Sequence, residues 1–351
     1  MLDVAVIGGG QAGLAAGYFL GRSGLNFRIF DGGLRPGASW RDRYDSLVLF
    51  TPAKRSGLPG LPFPGDPAHY PTKDEVAAYL EAYAQTFELP TEYGAPVRRV
   101  RQGPDGFELT TPRGEWAARA VLVATGPFQT PFVPAWAQHV APEVTQLHSS
   151  AYRRPSALPA GRVLVVGAGN SGAQIAEELT RTHSVTVAQG RPQPVLPQRV
   201  GGRDIFDVLG ALRLLDVPVG SLLGWLLRRR DPVIGTDLRR LNRRGQLQLA
   251  PRVVNADGRR LVCVDGTRLE AETVVWATGF RPAYPWLDLE GVLDDRGWPL
   301  HHGGVTGIPG LSFLGLPWQR TRGSALLGGV GRDAQVLVER EMRRLKGQGP
   351  S

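Results

Sequence analysis

The chain has 351 residues, 42% of them hydrophobic and 21% charged, with a formal net charge of +9. This length and balance give a folded protein of about two domains and exclude disorder as its resting state. A single cysteine excludes an internal disulfide or a Cys-x-x-Cys dithiol, and the positive charge suits anionic cofactors.

Met1-Leu2-Asp3-Val4 runs directly into an apolar strand over residues 4–7, from which a cytoplasmic protein is expected. Gly8-Gly9-Gly10-Gln11-Ala12-Gly13 follows and opens a helix over 12–23. A strand over 26–30 then ends in Asp31. A glycine fingerprint between strand and helix is what a dinucleotide turn requires. The first glycine permits the turn, the second lets backbone approach a pyrophosphate, and the third lets helix pack on strand. The helix N-terminus offers free N–H groups to phosphate. Asp31 lies near the ~20-residue offset at which a carboxylate meets a ribose hydroxyl. It repels a 2′-phosphate, so this half is expected to hold FAD or NAD.

Gly37-Ala38-Ser39-Trp40 and a loop dense in proline and glycine come next. A helix from 73 to about 87 follows, with Thr72 as N-cap and Glu75 closing a capping box. Antiparallel strands are expected over 97–101, 106–110 and 115–119, and a buried strand over 120–124 ending in Thr125-Gly126-Pro127. A proline-rich linker spans 131–159.

The second fingerprint, Gly167-Ala168-Gly169-Asn170-Ser171-Gly172, again lies between an apolar strand (163–166) and a helix (173–179). Two such turns on one chain point to two nucleotides held at once, and so to electron transfer between them. The next strand, 184–188, ends in Gln189-Gly190-Arg191 with no acid where Asp31 stood. Arg191 can reach a 2′-phosphate, a guanidinium being suited to bidentate contact. The second nucleotide is therefore expected to be NADPH, with NADH left open because Gln189 repels neither.

The apolar stretch 205–227 is broken by Asp207, Arg213, Asp216 and Pro218, so it cannot make the ~20-residue span of a bilayer. A pair of amphipathic helices packed on the body, or forming a lid, is expected. Peripheral membrane contact through Trp225 and Arg228-Arg229-Arg230 is the alternative. Cys263 sits in an apparent strand and reads as a buried inert thiol. A strand over 273–277 ends in Thr278-Gly279-Phe280, echoing Ala124-Thr125-Gly126. A strand over 311–314 and a basic helix over 332–346 close the chain. The six histidines show no metal-ligand spacing, and His301-His302 reads as a solvated loop pair. No nucleic-acid motif is present in the sequence.

The layout resembles the two-dinucleotide-binding-domain flavoproteins, and more narrowly the flavin-containing monooxygenases and their short bacterial relatives, some associated by name with cation efflux. The pieces that carry the likeness are the two fingerprints, Gly37-Ala38-Ser39-Trp40-Arg41, Arg43-Tyr44-Asp45-Ser46-Leu47, His148-Ser149-Ser150-Ala151-Tyr152 and Trp276-Ala277-Thr278-Gly279-Phe280. The monooxygenase signature has phenylalanine and glycine where Pro142 and Val144 stand here.

The resemblance implies an α/β fold of two Rossmann-like dinucleotide-binding domains, the NADPH domain being inserted into a discontinuous FAD domain. The expected bounds are 1–154 and 276–351 for FAD, and 155–275 for NAD(P)H with a helical insertion at about 203–232. Expected flavin contacts are Gly8, Gly10, Gln11, Ala12, Gly13, Asp31, Gly32, Gly37, Ser39, Trp40, Arg41, Val97, Ala124, Thr125 and Gly126, with Trp318 and Gln319 approaching the isoalloxazine. Expected NADPH contacts are Gly167, Gly169, Asn170, Ser171, Gly172, Gln189, Arg191, Ala277, Thr278 and Gly279. His148 is expected to position rather than to catalyse. The implied activity is hydride transfer from NADPH to FAD, then oxygen transfer from O2 through a flavin hydroperoxide to a small-molecule substrate. A reductase or oxidase without oxygen transfer stays open, as does a non-catalytic redox sensor linked to cation transport; so does a homodimer.

Overall fold

The computed structural model describes residues 1–229 and 232–347. Arg230 of the arginine triplet, Asp231 in the helical insertion and residues 348–351 of the last segment lie outside the described residues.

The first sheet is built on β1 (Leu2–Ile7), which leads through a glycine turn into α1 (Gln11–Gly21) and back to β2 (Phe27–Phe30). The expected helix over 12–23 thus starts one residue earlier and stops at Gly21. β3 (Thr91–Glu92), β4 (Arg99–Gly103), β5 (Gly106–Thr111) and β6 (Gly114–Val123) complete the order β3-β2-β1-β6-β5-β4. β1, β2, β3 and β6 run parallel, while β4 and β5 form an antiparallel meander on β6. The two strands expected over 115–119 and 120–124 are one continuous strand. Its first half pairs with β5, and its second half pairs with β1 on one side and with Leu311–Phe313 on the other. Ala120-Val121-Leu122-Val123 is buried throughout because helices and loops cover both faces there.

α2 (Lys73–Thr86) packs on this sheet, and its capping box is formed: Thr72 Oγ1 accepts from the Glu75 amide, and Glu75 accepts from the Thr72 amide at 2.8 Å. A hydrogen bond from His69 and that amide pull the Glu75 carboxyl down to about 2. The C-terminal helix Val330–Leu345 covers α1, burying Leu337 and Val338 in the same core as Leu14 and Leu20.

The second sheet contains β7 (Thr145–His148), β8 (Arg162–Val166), β9 (Ser184–Ala188), β10 (Gln248–Ala250) and β11 (Thr273–Trp276). The order is β10-β9-β8-β11-β7, with every pair parallel. α3 (Asn170–Leu179) links β8 to β9. The segment 131–159, expected as linker, therefore supplies an edge strand to this sheet. Trp276 is fully buried against Trp136, their rings 5.4 Å apart edge to face.

The insertion does fold as two short helices, α4 (Ile205–Ala211) and α5 (Leu222–Arg228). α4 is tied to the first half of the chain. Phe206 stacks on Phe50 at 5.6 Å, Asp207 pairs with Lys54 and Arg55, and the α4 cap Asp204 accepts from Tyr70. The following loop is tied to the chain's last part through Val219 N–H to Arg320 O and Gly323 N–H to Leu215 O, both 2.9 Å. α4 and its loop thus bridge residues 50–70 to residues 319–323.

Candidate functional site

In each sheet the central strand lies between a neighbour on its own crossover and a strand from elsewhere. That is the switch point at which ligands bind open α/β sheets. Both glycine turns stand there.

In the first turn, Gly8 has φ +108°, and a Cβ on it would lie 2.6 Å from the Ala124 carbonyl oxygen. Gly13 could not carry a Cβ either, since it would fall 1.8 Å from Gly8 O. Gly10 differs: no protein atom comes within 4 Å of a Cβ there. Gly10 also caps α1 without a side-chain hydrogen bond, and the first turn holds no acid. The helix end is therefore open, electropositive and uncapped, with no protein atom near the outer face of Gly10.

The second turn repeats this point for point. Gly167 has φ +111° and would place a Cβ 2.3 Å from Ala277 O; Gly172 would place one 2.1 Å from Gly167 O; Gly169 is open and caps α3 without a side chain. The sequence echo of Ala-Thr-Gly now has a cause. Each alanine carbonyl packs on the first glycine of its own turn, so nothing larger than hydrogen fits between them.

Asp31 is fixed at the floor of the first turn. One carboxylate oxygen accepts from the Gly9 amide and the other from Gly33 at 2.6 Å. Gly9, outside the expected set, is itself tight against Asp31, and the run of three glycines was the available signal. Gly32 is exposed beside Pro96, and Val97 packs on the second core. Gly37, with φ +69°, lies against Ala77 of α2. Ser39 is exposed, Trp40 packs on the first core, and Arg41 pairs with Glu81 at 2.7 Å. Ala12 is buried under Gly315, and Gln11 donates to Ala325 O at 3.1 Å, so residues 315–325 border this turn. Trp318 there is buried at φ +55°, a left-handed conformation costing about 1–2 kcal/mol. Gln319 is buried; its amide donates to Phe313 O and accepts from the Leu316 N–H.

Around the second turn, Asn170 Oδ1 accepts from Ile234 N–H at 3.0 Å, anchoring the chain beyond α5. Ser171 and Arg191 are exposed, and the Gln189 amide is held by Ala250 O at 3.0 Å. Thr278 donates to Phe132 O.

The two Ala-Thr-Gly segments are joined to one another. Gln129 donates to Thr125 Oγ1 at 3.0 Å and to Gly126 O at 2.9 Å, and accepts from Ala283 N–H at 2.7 Å. Thr130–Pro131 pairs antiparallel with Phe280–Arg281. His148, at the end of β7, accepts at Nδ1 from the Ser150 amide and donates from Nε2 to Gly279 O at 2.9 Å. Burial, and then the charge of Arg43, lower its pKa from 6.5 against the pull of that hydrogen bond. It is a neutral, doubly engaged imidazole. The Arg43 guanidinium lies beside the edge-to-face pair of Phe128 and Phe280, 5.6 and 5.7 Å from their centroids. It has no carboxylate partner among the described residues. Tyr44 crosses to the second sheet, donating to Gln174 of α3. Gln129 carries no sequence signal; its role arises only when the two units meet. No group of His, Cys, Asp or Glu among the described residues could hold a metal, and Cys263 is buried with its thiol pKa raised by that burial.

Two uncapped glycine turns, each packed on an Ala-Thr-Gly segment that is linked to the other, define an oxidoreductase of two dinucleotide-binding domains. The family model described as pyridine nucleotide-disulphide oxidoreductase matches residues 5–195, and the chain belongs to that family. It is 46% identical to a CzcO-like oxidoreductase of Geobacillus kaustophilus, over 96% of this chain and 97% of that one. It is 28% identical to a probable indole-3-pyruvate monooxygenase, YUCCA9, of Arabidopsis thaliana, over 84% of this chain and 79% of that one. The solved flavin-containing monooxygenase of Stenotrophomonas maltophilia is 32% identical, covers 98% of both chains and superposes with a TM-score of 0.83. The chain is flavin-monooxygenase-like. No helix among the described residues is long and apolar enough to cross a membrane.

Proposed function

We propose that the chain is an FAD-dependent, NADPH-oxidising monooxygenase acting on a small soft nucleophile or ketone. The observation that carries this reading is the duplicated cradle: Gly10 and Gly169 each lie open in a turn whose first and last glycines have no room for a methyl group. In this reading FAD lies on residues 1–154 and 276–351, and NADPH on 155–275. The flavin, when bound, supplies hydride acceptance and oxygen activation.

The chain's own residues bind, orient and shield. The α1 and α3 N-termini take the pyrophosphates. Asp31, held by two amides, keeps a negative charge where a ribose is favoured and a 2′-phosphate is not. Arg191 takes the 2′-phosphate of the second nucleotide. His148 stays neutral and holds Gly279 in place. The bridge formed by α4 and its loop covers the side bordered by residues 319–323, limiting water at the reacting centre.

A second reading, a reductase or oxidase without oxygen transfer, is favoured by Pro142 and Val144 standing where the monooxygenase signature has phenylalanine and glycine. The test is stoichiometric. Turnover with sulfides, amines and ketones is followed for NADPH consumed, oxygenated product and hydrogen peroxide. Product matching NADPH supports the proposal. Peroxide matching NADPH with every substrate overturns it in favour of the second reading.

A further inference from the structure

We propose that α5 is a docking surface for an anionic lipid bilayer. Ser221 caps this helix through Gly224 N–H, and Gly224 is its buried side: a Cβ there would fall 2.2 Å from Pro218 O. The helix therefore rests on its own preceding turn through a glycine. Its opposite arc is turned outward, with Leu222 76% exposed, Leu226 52%, Trp225 48% and Leu223 44%. Four large apolar side chains in one turn and a half of helix form a contiguous exposed patch, and such patches mark interaction sites.

The patch is edged by cations. Arg228 and Arg229 follow it, and the Arg229 guanidinium stacks on the Trp225 ring at 3.8 Å. From residue 217 to 229 the chain carries no acid, and Asp216 is already paired with Arg332. Arg228 also lies close enough to His301 to oppose its protonation, after burial, and the neighbouring Trp298 and Leu300 are exposed.

Leucines and a tryptophan under arginines match the interfacial region of a bilayer. The apolar arc enters the headgroup boundary, the indole sits at that level, and the guanidinium groups meet anionic phosphates. A second copy of the chain is a poorer occupant. A two-fold contact on this face would bring like-charged arginines together, on a chain already carrying +9. The α4 bridge anchors the chain ahead of α5, so docking need not disturb the nucleotide turns.

The experiment is co-sedimentation of the purified, flavin-loaded chain with large unilamellar vesicles. The vesicles contain phosphatidylcholine alone or phosphatidylcholine with phosphatidylglycerol. The expected result is a several-fold larger bound fraction on the anionic vesicles, falling with added salt. The double variant Leu222→Glu/Leu226→Glu is expected to lose binding to both vesicles, while Arg228→Gln/Arg229→Gln abolishes the preference for phosphatidylglycerol. Flavin content and NADPH-dependent flavin reduction are measured alongside and stay at wild-type level, so failure here is separate from failure of the proposed function. A wild-type chain that stays in the supernatant with phosphatidylglycerol vesicles overturns the proposal. So does a leucine variant that binds them like wild type, or one that only splits a dimer in light scattering.

Discussion

His148 and Gly279 are joined by one hydrogen bond, 2.9 Å from the ring Nε2 to the carbonyl oxygen. Because Nδ1 already accepts from the Ser150 amide, the single proton of the neutral ring sits on Nε2. Protonating the ring costs the Ser150 contact and places a second cation near Arg43. The folded-state pKa is accordingly lowered from 6.5, by burial first. For a lowered pKa the stability is present above the unfolded value and is lost as pH falls toward the folded one. Wild-type protein is expected to lose stability as pH falls below about 6.5 more steeply than His148→Gln. At neutral pH the variant is expected to be less stable by about 1 kcal/mol, the net worth of one such bond. Thermal unfolding across that range checks this. Parallel slopes for the two proteins mean that another group sets the acid limb.

The two open glycines allow folding to be separated from binding. Gly13→Ala forces a methyl group against Gly8 O, and overpacking of this kind costs about 1–3 kcal/mol or more. Gly10→Ala meets no protein atom, and its φ of −79° suits any residue. Gly10→Ala is expected to leave flavin-free stability within about 0.5 kcal/mol of wild type, while emptying the purified protein of flavin. Absorbance per mole of chain and unfolding of the stripped protein are the two measurements. Full flavin occupancy in Gly10→Ala would falsify the assignment of the first turn.

Arg191 is exposed beyond β9, two residues past Gln189, which stands where the first unit has Asp31. One or two charge-assisted hydrogen bonds to a 2′-phosphate contribute about 1.5–3 kcal/mol, or roughly ten- to hundred-fold in affinity. Arg191→Ala is expected to raise KM for NADPH by that factor and to leave NADH almost unchanged. Equal effects on both nucleotides remove the phosphate role.

These turns were legible because their geometry is dictated locally. A glycine that must take a positive φ, or sit on another carbonyl, announces itself at fixed spacing between an apolar strand and a helix. The α2 capping box was legible for the same reason. β7 was not, because Thr145-Gln146-Leu147-His148 is an edge strand whose outer side needs no apolar residues. The junction was hidden more deeply. Gln129 looks like any loop amide, and only the meeting of Gly126 with Ala283 gives its three hydrogen bonds a purpose. The division of β6 between two neighbours on one side was hidden too, since both halves carry strand-like residues.

Arg43 is half-buried and makes no ion pair among the described residues. Its guanidinium lies beside the Phe128–Phe280 pair, and burial pulls its pKa below the usual guanidinium range, with Arg153 adding a like charge. A half-buried cation without a carboxylate partner is a cost to the folded chain, and contact with the two rings offsets only part of it. Its N–H groups are suited to hydrogen-bonding a phosphate. Arg43→Met keeps most of the apolar contact and removes the charge. The variant is therefore expected to unfold at the same temperature as wild type or higher, while binding NADP+ roughly ten-fold more weakly. Calorimetric titration of the flavin-loaded protein and a thermal melt give the two numbers. A fall in melting temperature with unchanged NADP+ affinity assigns Arg43 to packing against Phe128 and Phe280 and removes it from the site.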